Sequence, residues 1–187
     1  MTQLELVQYV AARLERLNLR WVVVGAHAAS YWGEPRSTHD VDLLVEVPTK
    51  KVSEFVASFE TPRYYVSESA IREGRMANVI DTMTSDKCDL FLCNDDVDRG
   101  RLDRRQMRLW LGTEVPMLSM IDTVIAKVDW FGQSAGSQRQ LSDVVLMMRK
   151  HPEVTPAMIL DAMHEPRLKQ IWQQHFQPAL DALGKDE

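Results

Sequence analysis

Apolar residues recur at helical spacing from the first turns of the chain. Leu4, Val7, Ala11, Leu14 and Leu17 are separated by Glu5, Gln8, Arg13 and Glu15, which predicts an amphipathic helix over 2–18 that covers a sheet. The next stretch, Arg20-Trp21-Val22-Val23-Val24, is apolar on both faces and predicts a central, buried strand that ends at Gly25. A helix of small residues, AHAASYW, follows and stops at Gly33-Glu34-Pro35. HDVDLLVEV then predicts a second strand, closed by Pro48, and Val52, Phe55, Val56 and Phe59 mark one face of a helix over 49–60.

Further along, Tyr64–Val66 and Met76–Ile80 are weaker strand patterns around a polar turn containing Gly74, and KCDLFLC (87–93) is a clear strand. Residues 107–111 and 114–118 predict a hairpin joined at Gly112-Thr113. From Ser119 the periodicity is helical. Apolar faces run over 119–131, 137–150, about 156–164 and 167–183, punctuated by Pro152, Pro156, Pro166 and Pro178. The expectation is an α+β (α/β) fold with a mixed sheet flanked by helices over 1–118, followed by a helical region over 119–187.

Composition alters this picture little. The chain has 187 residues, 45% hydrophobic and 26% charged, an ordinary globular balance. No apolar run approaches the length of a membrane span, and the N-terminus has no basic segment leading into an apolar one, so a cytoplasmic protein without a membrane partner is expected. Cys88 and Cys93 are too far apart within one strand to form a relaxed disulfide and read as buried, reduced thiols. A net charge of −5 argues against bulk electrostatic binding of nucleic acid. One basic run, Arg99, Arg101, Arg104, Arg105 and Arg108 against Asp103, reads as a solvated connection or as a patch for a phosphate-rich acceptor.

The chemistry lies in the order of several acids. Asp40 and Asp42 stand two apart in a strand, so both carboxylates point to one face, where their repulsion calls for a cation. Magnesium suits oxygen ligands and commonly takes one or two carboxylates with substrate phosphates. The turn at Gly25 leads into small residues that let a phosphate approach backbone N–H groups. Asp89, in a later apolar strand, is a third acid whose burial would be costly without a partner. Three acids on neighbouring strands beside such a turn form an arrangement for two-metal phosphoryl transfer, with Asp89 as an extra ligand or as the general base.

The run VVVGAHAASYWGEPRSTHDVDLLVEV resembles the signature of the DNA polymerase β-type nucleotidyltransferase superfamily, and Arg36-x-Thr38-x-Asp40-x-Asp42 is close to a bacterial branch of AbiEii-like toxins and minimal nucleotidyltransferases. LSMIDTVIAKVDWF and QRQLSDVVLM look like that branch's following helices, so the resemblance covers roughly residues 20–150. It implies a nucleotidyltransferase fold, and transfer of a nucleoside monophosphate from a triphosphate such as ATP with Mg2+. The acceptor would be an RNA end, a protein or a small molecule, and a cognate antitoxin is an implied partner.

Residue by residue, the resemblance implies that Gly25 and Ala26 cradle the triphosphate with Arg36 and Thr38 nearby. Asp40, Asp42 and Asp89 would hold metal, and Lys127 would contact the phosphates. Arg139 and Asp143 would brace Lys127 or the nucleotide, or else form a plain i,i+4 ion pair. Ala26 departs from the family's Gly-Gly or Gly-Ser turn and removes a hydroxyl donor, which keeps open a silent nucleotide- or protein-binding module. An aminoglycoside-type adenylyltransferase, with Asp95, Asp96 and Asp98 in an acidic acceptor pocket, is a third reading. His39 would face away from the metal, and the five tryptophans are scattered as core or interface anchors.

Overall fold

The computed structural model describes residues 3–38, 40–74 and 76–183, so His39 lies outside the described residues. The described chain divides into two units. One holds residues up to His27 together with Ser37–Leu118, and the other holds Ala28–Arg36 with the chain from Ser119 onward.

The first unit opens with α1 (Gln3–Arg16), whose Leu6, Val7, Val10 and Leu14 are buried, as the helical spacing requires. β1 (Arg20–Val23) follows, then the start of α2 (Gly25–Trp32) and β2 (Val41–Glu46). A 3-10 turn (Thr49–Lys51) runs into α3 (Val52–Ala57). Then come β3 (Tyr64–Val66), α4 (Glu68–Arg72), β4 (Ala77–Asp81), β5 (Lys87–Leu92), α5 (Asp96–Asp103), β6 (Gln106–Trp110) and β7 (Thr113–Met117). The seven strands form one mixed sheet in the order β3-β4-β5-β2-β1-β7-β6. β2 pairs parallel with β5 and antiparallel with β1, so the strand that carries Asp42 is interior. Helix α1 packs on β1 and β5, and α5 on β1 and β2.

Two helices were not visible in the sequence pattern. α4 is a single turn capped by Ser67, whose hydroxyl accepts from the Ala70 N–H at 3.2 Å, and it replaces much of the expected polar turn. α5 buries only Leu102, so it has no apolar stripe to read. Its Asp95 caps the helix by accepting from the Asp98 N–H at 2.8 Å, and Asp96 and Asp98 lie in the first turn, where the helix dipole favours acids. The acidic triplet is therefore a helix start rather than a loop.

The hairpin turn also sits one residue earlier than expected. Trp110 pairs with Thr113, and Leu111 (φ 49°) and Gly112 (φ 82°) both take left-handed backbone, the requirement of a tight type I′ connection.

The second unit holds the rest of α2 with α6 (Met120–Gln133), α7 (Gln138–Lys150), α8 (Pro156–Ala162), α9 (Pro166–Ile171) and α10 (Gln177–Leu183). Ser119 caps α6, accepting from the Asp122 N–H at 3.1 Å while its hydroxyl donates to the Asp122 carboxylate at 2.6 Å. A π turn (Trp172–Phe176) joins α9 to α10, with the Gln177 N–H reaching back to the Trp172 carbonyl. Pro178 comes next and has no N–H to continue the α pattern, so the backbone widens there without breaking. Trp172 and Phe176 stack at 5.7 Å in the middle of this unit's core. Trp21 and Trp32 are buried as well, whereas Trp130 is half exposed.

Among the described residues, no helix is long and apolar enough to cross a membrane.

Candidate active site

In the first unit the acids gather around β2 and β5. Asp42 and Asp89 are direct partners in the parallel ladder, so their side chains leave the sheet on the same face. Asp42 projects toward the turn that starts α2. Gly25 has φ +62°, and a Cβ built there would lie 2.7 Å from Asp42 Cγ. Only glycine takes that backbone conformation readily, and only a residue without a side chain leaves that carboxylate its place. Asp40 precedes β2, and its carbonyl lies 3.5 Å from the Thr38 hydroxyl, a marginal hydrogen bond.

A residue that the motif reading passed over joins the acids. Lys87, at the start of β5, places Nζ 3.2 Å from Asp40 Oδ2 and 3.1 Å from Asp89 Oδ2. Burial alone would lower its pKa, but the two carboxylates outweigh that effect and raise it above the ordinary lysine value. It stays an ammonium ion throughout the physiological range. Asn78, the β4 partner of Asp89, donates to Asp89 Oδ1 at 2.5 Å. Both oxygens of the buried Asp89 thus accept from the protein's own donors. Among the described residues, no group of three or more His, Cys, Asp or Glu side chains is placed together to hold a metal ion. Magnesium does not require three when phosphate oxygens complete its shell, so Asp40 and Asp42 are the residues that could hold one ion.

In the second unit a separate charged group forms around Asp143. Lys127 Nζ lies 2.8 Å from Asp143 Oδ2, and both side chains are only 8% exposed. Arg36 forks onto the same carboxylate, Nε to Oδ1 at 3.1 Å and Nη2 to Oδ2 at 3.2 Å. Lys127 is therefore a buried lysine held by a carboxylate and not a surface one. Arg139 is exposed on α7, and Asp143 bonds Arg36 and Lys127 instead.

The basic run at 99–108 is largely engaged within the fold. Arg99 pairs with Asp96 at 2.6 Å and Arg101 with Asp98 at 3.0 Å, while Arg105 and Arg108 donate to the Leu102 and Met107 carbonyls. Cys88 is buried and Cys93 half-buried, and burial pushes the Cys93 thiol up to about 11, so neither offers a thiolate near neutral pH. A groove of about 220 Å³ lined by Trp21, Trp110, Val7 and Glu114 lies by the start of β1, whereas Gly25 follows its end. It is not part of the acid cluster.

No protein-family model matches this chain, and no curated protein matches it either. Solved structures do. An antigenic nucleotidyltransferase-like protein from Paracoccidioides brasiliensis superposes with a TM-score of 0.63 at 17% identity, over 95% of this chain and 89% of that one. The antibiotic-resistance factor ANT(2″)-Ia gives 0.60 at 13% identity, over 99% and 98%. The lincosamide antibiotic adenylyltransferase LnuA, with lincomycin bound, gives 0.52 at 11% over 75% and 93%. The fold is the nucleotidyltransferase fold.

Proposed function

We propose that this chain transfers a nucleoside monophosphate from a nucleoside triphosphate to an acceptor, releasing pyrophosphate. The observation that carries this reading is Asp42 packed against the left-handed Gly25 at the start of α2, with Asp89 beside it in register. In the reaction an acceptor oxygen bonds to the α-phosphorus, and the bond from that phosphorus to the bridging oxygen breaks. The electron pair leaves on pyrophosphate, and the acceptor's proton passes to solvent. The backbone N–H groups after Gly25, including that of Ala26, orient the phosphates. Mg2+ held by Asp40 and Asp42 would supply charge neutralisation at the triphosphate when bound. Asp89 positions Lys87. In the second unit, Asp143 fixes the Lys127 ammonium and the Arg36 guanidinium, groups suited to anionic oxygens. Thr38 and the exposed Arg139 are left with supporting roles.

For the acceptor, a small hydroxylated molecule is favoured over an RNA end, because the net charge of −5 argues against bulk electrostatic binding of nucleic acid. Structural neighbours include ANT(2″)-Ia in complex with adenylyl-2″-tobramycin. The AbiEii-like branch and a cognate antitoxin stay part of the proposal on the sequence motif alone.

The test is calorimetric titration with each triphosphate and Mg2+, beside an Asp40→Ala/Asp42→Ala variant, followed by a pyrophosphate-release screen of acceptors. Magnesium-dependent binding that disappears in the variant supports the reading. A second reading, a module that binds nucleotide without transferring it, draws on Ala26 and on the engagement of Asp89 by Lys87 and Asn78. Tight triphosphate binding with no pyrophosphate released from any acceptor would select it.

A further inference from the structure

We propose, on the reading of a triphosphate site given above, that Lys87 stands in for a second divalent cation, so that this acid cluster takes one metal ion and not two. Three acids on adjacent strands have the charge to hold two ions. Here the space between Asp40 and Asp89 is bridged by an ammonium that contacts both carboxylates, at 3.2 and 3.1 Å. Distances near 3 Å to two oxygens are those of a hydrogen-bonded ion pair and leave no room for a metal in the same place.

The second oxygen of Asp89 is taken as well, by the Asn78 amide at 2.5 Å. Lys87 and Asn78 come from two different strands, and both sit at fixed positions in the ladder. Lys87 is two residues before Asp89 on β5, and Asn78 lies directly across from it on β4. The register thus fixes the backbone positions from which Lys87 and Asn78 reach Asp89. Asp42 lies against Gly25, at the turn where the triphosphate is proposed to bind. Lys87 is a positioning residue in this scheme. It supplies one fixed positive charge where a second ion would bring two, and it makes Asp89 a structural acid with no part in proton transfer.

The probe is Mn2+, counted per chain by electron paramagnetic resonance of the free ion on full-length protein. The expected stoichiometry is one for wild type, one for Lys87→Arg, one for Asp89→Asn and two for Lys87→Met. Thermal unfolding gives a second readout that does not depend on counting. Lys87→Met should melt lower than wild type in chelator and recover most of the difference in Mn2+, while wild type shifts less. This holds the proposal to a result even if Lys87→Met folds poorly without metal.

Two Mn2+ ions on wild type would overturn the inference, and so would loss of an ion in Asp89→Asn or a Lys87→Met count that stays at one. Each of these leaves nucleotidyl transfer standing. If neither wild type nor Lys87→Met binds Mn2+, with or without triphosphate, the reading of a metal–triphosphate site fails and the inference falls with it.

Discussion

The two units each gather charge around an aspartate, and they do so with opposite balance. In the first, two carboxylates, Asp40 and Asp89, meet one ammonium, Lys87, and Asp42 stands in register beside Asp89. In the second, one carboxylate, Asp143, meets an ammonium and a guanidinium, Lys127 and Arg36. Acid exceeds base in one group, and base exceeds acid in the other. The first is suited to a cation and the second to an anion. They also differ in exposure. Lys127 and Asp143 are both buried, whereas Lys87 and Asp40 are each 39% exposed. A buried pair contributes to a fixed structure and is expensive to break, while an open acid cluster is held against repulsion and gains from a ligand.

That contrast can be tested from its strongest side. Asp143→Ala would leave Lys127 buried without its carboxylate and should cost about 3–5 kcal/mol in urea unfolding. Lys127→Met combined with Asp143→Leu should recover much of that loss, and full additivity in the cycle would mean the pair is not coupled.

Gly25→Ala imposes a left-handed backbone on a residue with a Cβ, a cost of roughly 1–2 kcal/mol, and also displaces the Asp42 carboxylate. Triphosphate binding should therefore fall further than stability does. Equal losses in the two assays would place Gly25 in the fold alone.

Asp42→Asn is expected to differ in kind from Asp143→Ala. It keeps the shape of the side chain beside Gly25 while removing one of two like charges in register, so it should abolish metal-dependent binding and change stability in chelator by no more than about 1 kcal/mol. A loss of stability as large as that of Asp143→Ala would break the comparison between the clusters.

The smallest effect belongs to an ordinary ion pair outside both groups. Glu46 bonds Arg20 at 2.7 Å, and that hydrogen bond holds its carboxyl below the usual glutamate range. Its contribution, about 0.2–1 kcal/mol for a partly exposed pair, is present above the unfolded-state pKa near ~4.3 and is lost as pH falls through the lower folded value. Glu46→Gln and wild type should thus differ at pH 7 and converge in acid. A gap that persists below that window would assign the effect to something other than the charge.

Much of this was legible in the sequence because it is local. Asp42 in an apolar strand, the glycine before a run of small residues, and the helical periodicity after Ser119 all act over a few positions, whereas Asp40, expected in the same strand, precedes it. The helices α4 and α5 were not legible, since a single capped turn and a polar helix with one buried leucine leave no stripe. The partners of the acids were hidden for another reason. Asn78 reaches Asp89 only through the β4–β5 register, Lys87 reaches Asp40 only because β5 lies beside β2, and Arg36 is 107 positions from Asp143. Such pairings are set by topology, which no window along the chain contains.

The contact between Gly25 and Asp42 has a genetic consequence. Two positions seventeen apart in the sequence share one small volume, so a side chain cannot be added at 25 while 42 keeps its carboxylate in place. In a selection for folded protein, suppressors of Gly25→Ala should concentrate at position 42, as changes to smaller residues. Every such suppressor would restore the structure by discarding the carboxylate, so folding and chemistry would part company in a single pair of codons.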